Sequence, residues 1–119
     1  MTGSGEIDIF EHHSDGGPDH YAARAIKNLG YCGGGDWQQL MHVQATPLAD
    51  YHEYAVEWDG SDLLFLLDGE VVYRGEGQGD QFPEPLFAVL NFAKINPSPM
   101  GVDRWTMEVD WVKHERRLE

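Results

Sequence analysis

The chain has 119 residues, 41% of them hydrophobic and 12% aromatic, enough for one small domain with a real core and too few for two. Its 21 acidic and 8 basic residues leave a formal charge of −13, a field that repels phosphate polymers and anionic membrane surfaces but accepts a neutral polymer. No apolar run reaches the ~18 residues of a membrane-spanning helix, no basic and apolar signal peptide is visible, and the single cysteine, Cys32, excludes an internal disulfide.

In chain order, short runs rich in Val, Leu, Phe, Tyr and Trp alternate with Gly, Pro, Asp and Asn signals, the pattern of an antiparallel all-β sandwich. Strands are expected at Glu6–Phe10, Tyr21–Lys27, Gln39–Gln44, His52–Trp58, Asp62–Leu67, Val71–Arg74, Leu86–Phe92 and Trp105–Lys113. Asp59-Gly60 and Asp68-Gly69 mark tight reversals, so His52–Arg74 should form a three-stranded meander. Leu63-Leu-Phe-Leu-Leu67 is apolar at both parities, so both its faces need cover. In the last expected strand Trp105, Met107, Val109 and Trp111 share one face and Glu108 and Asp110 the other. Residues 1–119 read as a single domain without an internal repeat or low-complexity linker.

The segment Gly5-Glu-Ile-Asp-Ile-Phe-Glu11 carries the chemistry. Alternation places Glu6 and Asp8 on one face and points Ile7 and Ile9 into the core. It would also turn Glu11 inward, where an unpaired carboxylate costs several kcal/mol, roughly. A β-bulge at Ile9-Phe10 restores the parity: those two apolar residues share the inward role, and Glu11 rejoins Glu6 and Asp8. Three acids then stand in a row with no structural benefit, the kind of local conflict expected at a working site. Retaining glycoside hydrolysis needs two carboxyl groups about 5–5.5 Å apart, one as nucleophile and one as proton donor. A solvated acidic strand edge or a calcium-binding cluster is the alternative reading of the same residues.

The other polar residues carry less. His42 and His52 are at no ligand spacing with an acid or cysteine, which argues against a transition-metal site. His12-His13 reads as a solvated loop pair, and Asp15-Gly-Gly-Pro-Asp19 as a turn without the alternating oxygens of a calcium loop. Gly33-Gly34-Gly35 makes the setting of Cys32 a loop, and Gly75–Gly79 is too irregular for a phosphate cradle. Sulfated polysaccharides are disfavoured by charge unless Arg24, Lys27, Lys94 and Arg104 gather on one surface.

The carboxylate segment resembles the signature of glycoside hydrolase family 16, the laminarinase, lichenase and agarase family, in its bulged E-x-D-x-x-E form; the lichenase branch lacks the extra residue. Ala49-Asp-Tyr-His-Glu-Tyr-Ala-Val-Glu-Trp58 with Leu63–Gly69, Pro85-Leu-Phe-Ala-Val-Leu-Asn-Phe-Ala93 and Met107-Glu-Val-Asp-Trp-Val112 resemble three further motifs of that family, in its order. The resemblance implies a concanavalin-like jelly roll and a retaining endo-β-glycoside hydrolase acting on a neutral β-glucan such as laminarin. Glu6 then corresponds to the nucleophile, Asp8 to the assisting acid and Glu11 to the general acid/base. Asn91 and Trp58 match positions near the sugar cleft, Trp58 being as consistent with the core. Asp110 matches a carboxylate that in several members helps hold a structural calcium ion; catalysis itself requires no cofactor. Secretion or a periplasmic location follows from the same likeness.

Two features depart from the family. Its signature lies in the middle of the jelly roll but begins here at residue 5, so the chain corresponds to the C-terminal half and the sandwich is expected to be incomplete or reduced, with a homodimer as one means of completion. The family commonly places a histidine on the strand after the signature, for which His20 is a poor positional substitute. A non-catalytic carbohydrate-binding or assembly module, needing a second chain to complete its fold, is the alternative.

Overall fold

The computed structural model describes residues 5–12, 19–27, 37–44, 48–82, 85–93 and 106–118. His13, most of the Asp15–Asp19 turn, Cys32 with its glycines, Lys94, Arg104 and Trp105 lie outside the described residues. The chain divides into two units, Met1–Leu86 and Phe87–Glu119.

Among its described residues the first unit is all-β apart from one 3-10 turn. Strands β1 (Glu6–Glu11), β2 (His20–Lys27) and β3 (Trp37–Gln44) form one antiparallel sheet in chain order; β4 (Tyr54–Asp59), β5 (Asp62–Leu67) and β6 (Glu70–Gly75) form the second. The meander expected over His52–Arg74 is this second sheet. Its β5–β6 reversal has Asp68 at φ 51° and Gly69 at φ 83°, the pair of positive angles that a two-residue type I′ turn demands. Asp68 also closes the entry to β4: its carboxylate accepts the Glu53 N–H at 2.9 Å and meets His52 Nδ1 at 2.7 Å.

The two sheets share one core. Tyr21, Ala23 and Ala25 of β2 face Leu63 and Phe65 of β5, with Phe82 beside them and Ile7, Tyr54, Val56 and Tyr73 packed around. Leu63, Leu64 and Phe65 are all buried, so both parities of that strand are covered, as its uniform apolarity requires. The two sheets of the first unit are therefore a layered antiparallel sandwich of the jelly-roll type. Beyond β6 the 3-10 turn Gly79–Gln81 folds back on the β4–β5 hairpin, with the Gly79 N–H donating to Ser61 O at 2.7 Å.

The last two expected strands do not form among the described residues: 85–93, which straddles the boundary between the units at Leu86, and 106–118 contain no strand, and all of these residues are exposed. Phe87 (87%), Val89 (69%), Leu90 (64%), Trp111 (57%) and Val112 (62%) stand in solvent at both parities. A strand exists only when a neighbouring backbone takes up its N–H and C=O groups; apolar alternation supplies the tendency but not the partner.

Gly79 is the tightest test of this packing. A Cβ there would lie 2.7 Å from Ser61 O and 3.1 Å from Trp58 Cδ1, so Gly79→Ala should lower stability by about 1–3 kcal/mol. A denaturant midpoint unchanged from the parent would show that the turn does not pack on the hairpin.

Candidate active site

The β1–β2 ladder pairs Glu6 with Ile26, Ile7 with Ala25 and Asp8 with Arg24, then resumes with Glu11 opposite Ala22. Three steps on β1 are matched by two on β2, so one extra residue sits at Ile9-Phe10. The consequence is the one that parity demands. Glu6, Asp8 and Glu11 share a face with Ile26, Arg24 and Ala22, while Ile7 shares the core face with Ala25.

The bulge does a second job. Phe10 turns to the aromatic residues that join the sheets, 5.2 Å from the Tyr21 ring and 4.4 Å from that of Tyr54, which is itself 5.1 Å from Tyr21. Neither Ile9 nor Phe10, each 37% exposed, joins the core cluster, so the inward role expected of the pair is not filled; Phe10 makes the ring contacts to Tyr21 and Tyr54. Burial, with the neighbouring Tyr21 and Asp68, pushes the Tyr54 hydroxyl up to about 12, so this contact stays neutral across the physiological range.

The three acids are not equivalent. Burial raises Asp8 most, then its hydrogen bond with Glu6, then the charges of Glu11 and Glu6; Arg24 opposes them, and the result is about 7. Below neutral pH, Asp8 therefore holds a proton that it can donate to Glu6. Glu11 is met by a cation instead. Arg24 Nη2 lies 2.8 Å from each of its two oxygens, and Arg24 Nε stands 3.4 Å from Asp8 Oδ2. That last pair is an ion-pair contact only: both atoms are buried and neither makes a hydrogen bond among the described residues. The Glu11 hydrogen bond, then the surrounding carboxylates, raises the Arg24 guanidinium further, against the effect of its own burial, so it stays charged.

Arg24 is the residue that sequence reasoning left out of this site. The available signal was a lone charge in the apolar run Tyr21-Ala-Ala-Arg-Ala-Ile26; which acid it meets depends on cross-strand register. Lys27 falls on the other face, 5.8 Å from the Phe82 ring centroid, so it does not join Arg24 in a cationic patch.

The remaining candidates lie elsewhere. Trp58 has the core-side parity of Tyr54 and Val56 and is positioned against the Gly79 turn; no described contact joins it to the three acids. His20 opens β2 on the parity of Arg24, and its carbonyl lies 2.7 Å from His12 Nδ1. Asn91 and Asp110 are exposed residues of the second unit. Among the described residues no three His, Cys, Asp or Glu side chains gather to hold a metal ion, so they assemble no set of acidic ligands for calcium around Asp110.

The family model for glycosyl hydrolases family 16 matches residues 2–113. The match runs across both units and takes in Glu6, Asp8, Glu11, Trp58, Asn91 and Asp110. No solved structure matches the chain.

The Asp8 environment has a measurable consequence. Asp8 titrates at its ordinary 3.8 when unfolded and at about 7 in the fold, so the folded state alone keeps the proton between those values. The stabilisation is complete below the unfolded value and is lost as pH rises through about 7. The Asp8→Asn variant should therefore lack this loss, and its melting temperature should gain on the parent's between pH 4 and 7. Parallel melting curves across that window would refute the raised Asp8.

Proposed function

The chain belongs to glycosyl hydrolase family 16, and on that premise we propose that it is a retaining endo-β-glycoside hydrolase acting on a neutral β-glucan of the laminarin type. The observation that carries this reading is the register shift between Asp8 and Glu11, which sets Glu6, Asp8 and Glu11 on one sheet face. The bulged form favours the laminarinase and agarase-like branch, in which the chain corresponds to the C-terminal half of the catalytic domain. The formal charge of −13 favours an uncharged polysaccharide over a sulfated one. A polymer of this size is met outside the cytoplasm, which supports a secreted or periplasmic location.

The reaction is a double displacement. Glu6 attacks the anomeric carbon as the glycosidic C–O bond breaks, and Glu11 gives its proton to the departing oxygen. A water then attacks the same carbon, its proton passes to Glu11, and the Glu6–carbon bond breaks. Asp8 donates a hydrogen bond to Glu6 throughout and steadies the nucleophile. The scheme calls only on carboxyl groups.

A second reading has its own observation. Apolar side chains from Leu86 to Phe92 and from Met107 to Val112 are 40–87% exposed, a surface that suits a module completed by a second chain, a homodimer included.

Glu6→Gln separates the two. It should abolish the release of reducing ends from laminarin while leaving the circular dichroism spectrum unchanged. Hydrolysis equal to the parent's would overturn the assignment of Glu6. A parent that binds laminarin oligosaccharides without releasing reducing ends, and elutes as a dimer, would favour the module.

A further inference from the structure

Arg24 lies at the centre of the acid face, its side chain 31% exposed, on a strand that is otherwise apolar between His20 and Lys27. Its strand neighbours Ala22, Ala23, Ala25 and Ile26 are all buried, at 7%, 1%, 0% and 5% exposure. An isolated ion pair in such a place is a weak source of stability, because desolvation offsets much of the attraction and an apolar residue would pack as well. The cation is better explained by what it touches. It stands directly across from Asp8 in register, yet its closer contacts run diagonally over the small Ala22 to Glu11, with Nη2 at 2.8 Å from both Oε1 and Oε2.

We propose that Arg24 is a positioning residue that fixes the Glu11 carboxyl group over the acid face for its work as proton donor and acceptor. The inference rests on the reading of Glu11 as the acid/base. A glutamate has three free torsions, and Glu11 shares its face with two further acids, whose charges would drive it outward into solvent. The guanidinium reverses that preference. When Glu11 carries its proton, one oxygen keeps the Nη2 contact and the other faces the leaving oxygen. When the proton has gone to the leaving group, both oxygens accept from Nη2, as in this structure. Arg24 neither gives nor takes a proton; it holds the group that does.

A role through Glu11 depends on the leaving group, whereas a loss of fold does not. In Arg24→Met, kcat/KM for laminarin should fall on the order of a hundredfold, the range in which a general acid contributes. The kcat/KM of a dinitrophenyl β-glycoside, which reports the first step and whose leaving group needs no proton, should change little, while its kcat falls because the second step still draws on Glu11 as base. Glu11→Gln should show the same contrast, and Arg24→Met combined with Glu11→Gln should be no slower than Glu11→Gln alone. Arg24→Lys, which keeps the charge as a point rather than a fork, should recover part of the loss and serves as the comparison if the Met variant does not fold. Equal losses of kcat/KM on both substrates, or additive losses in the double variant, would overturn the proposal.

If the parent cleaves neither substrate, the hydrolase reading has failed, and carboxyl-carbon NMR tests Arg24 alone. The charged groups facing Asp8 among the described residues are Glu6 and Glu11 on β1 and Arg24 on β2. Removing the Arg24 cation should move the Asp8 midpoint upward from about 7 and alter the Glu11 carboxyl shift. An unchanged spectrum at both carbons would overturn the contact itself.

Discussion

Side chains on a strand alternate, and Glu6 and Glu11 stand five positions apart. On a regular ladder one of them would enter the core beside Tyr21, Ala23 and Ala25, where a carboxylate has no partner. The extra residue between Asp8 and Glu11 removes that conflict, and the arrangement of the first unit follows from it. The same bulge that returns Glu11 to the acid face turns Phe10 toward Tyr21 and Tyr54. One irregularity thus sets the polar face of one sheet and supplies an aromatic contact to the other.

The acid face is a stability cost carried by its surroundings. Three carboxyl groups on adjoining positions repel one another, and burial works against charge on Asp8. The compensating terms are apolar: Tyr21, Leu63 and Phe65 are almost wholly buried between the sheets, and each side chain of that size contributes about 1.5–3 kcal/mol on transfer from water. Sites that conflict locally and survive globally are where function is expected. The conflict here is confined to the outer face of one strand pair, while the core behind it is uninterrupted.

Much of this was legible in the sequence because it depended on local rules. Asp68-Gly69 names its turn, since few other pairs accept two positive φ angles, and the uniform apolarity of Leu63–Leu67 names a strand covered on both faces. The bulge was legible for a subtler reason: three acids at E-x-D-x-x-E spacing share a face only if one residue is left over. What could not be read was pairing across long connections. Arg24 is separated from Glu11 by twelve residues, and only the β1–β2 register brings its guanidinium diagonally across Ala22. The same limit explains the segments after Pro85. Leu86–Phe92 and Met107–Lys113 have strand composition, but composition does not supply the neighbouring backbone that makes a strand.

Glu6 and Glu11 are the same amino acid, and the different roles proposed for them have to come from what surrounds them. Among the described residues the face holds one guanidinium and, below about pH 7, the proton of Asp8. These are distributed unequally: the proton lies between Asp8 and Glu6, and the guanidinium is turned toward Glu11. A hydrogen bond from Asp8 steadies Glu6, while the guanidinium against both oxygens of Glu11 fixes the direction in which that carboxyl group points. Asp8 and Arg24, standing opposite each other across the β1–β2 ladder, give the two glutamates different neighbours.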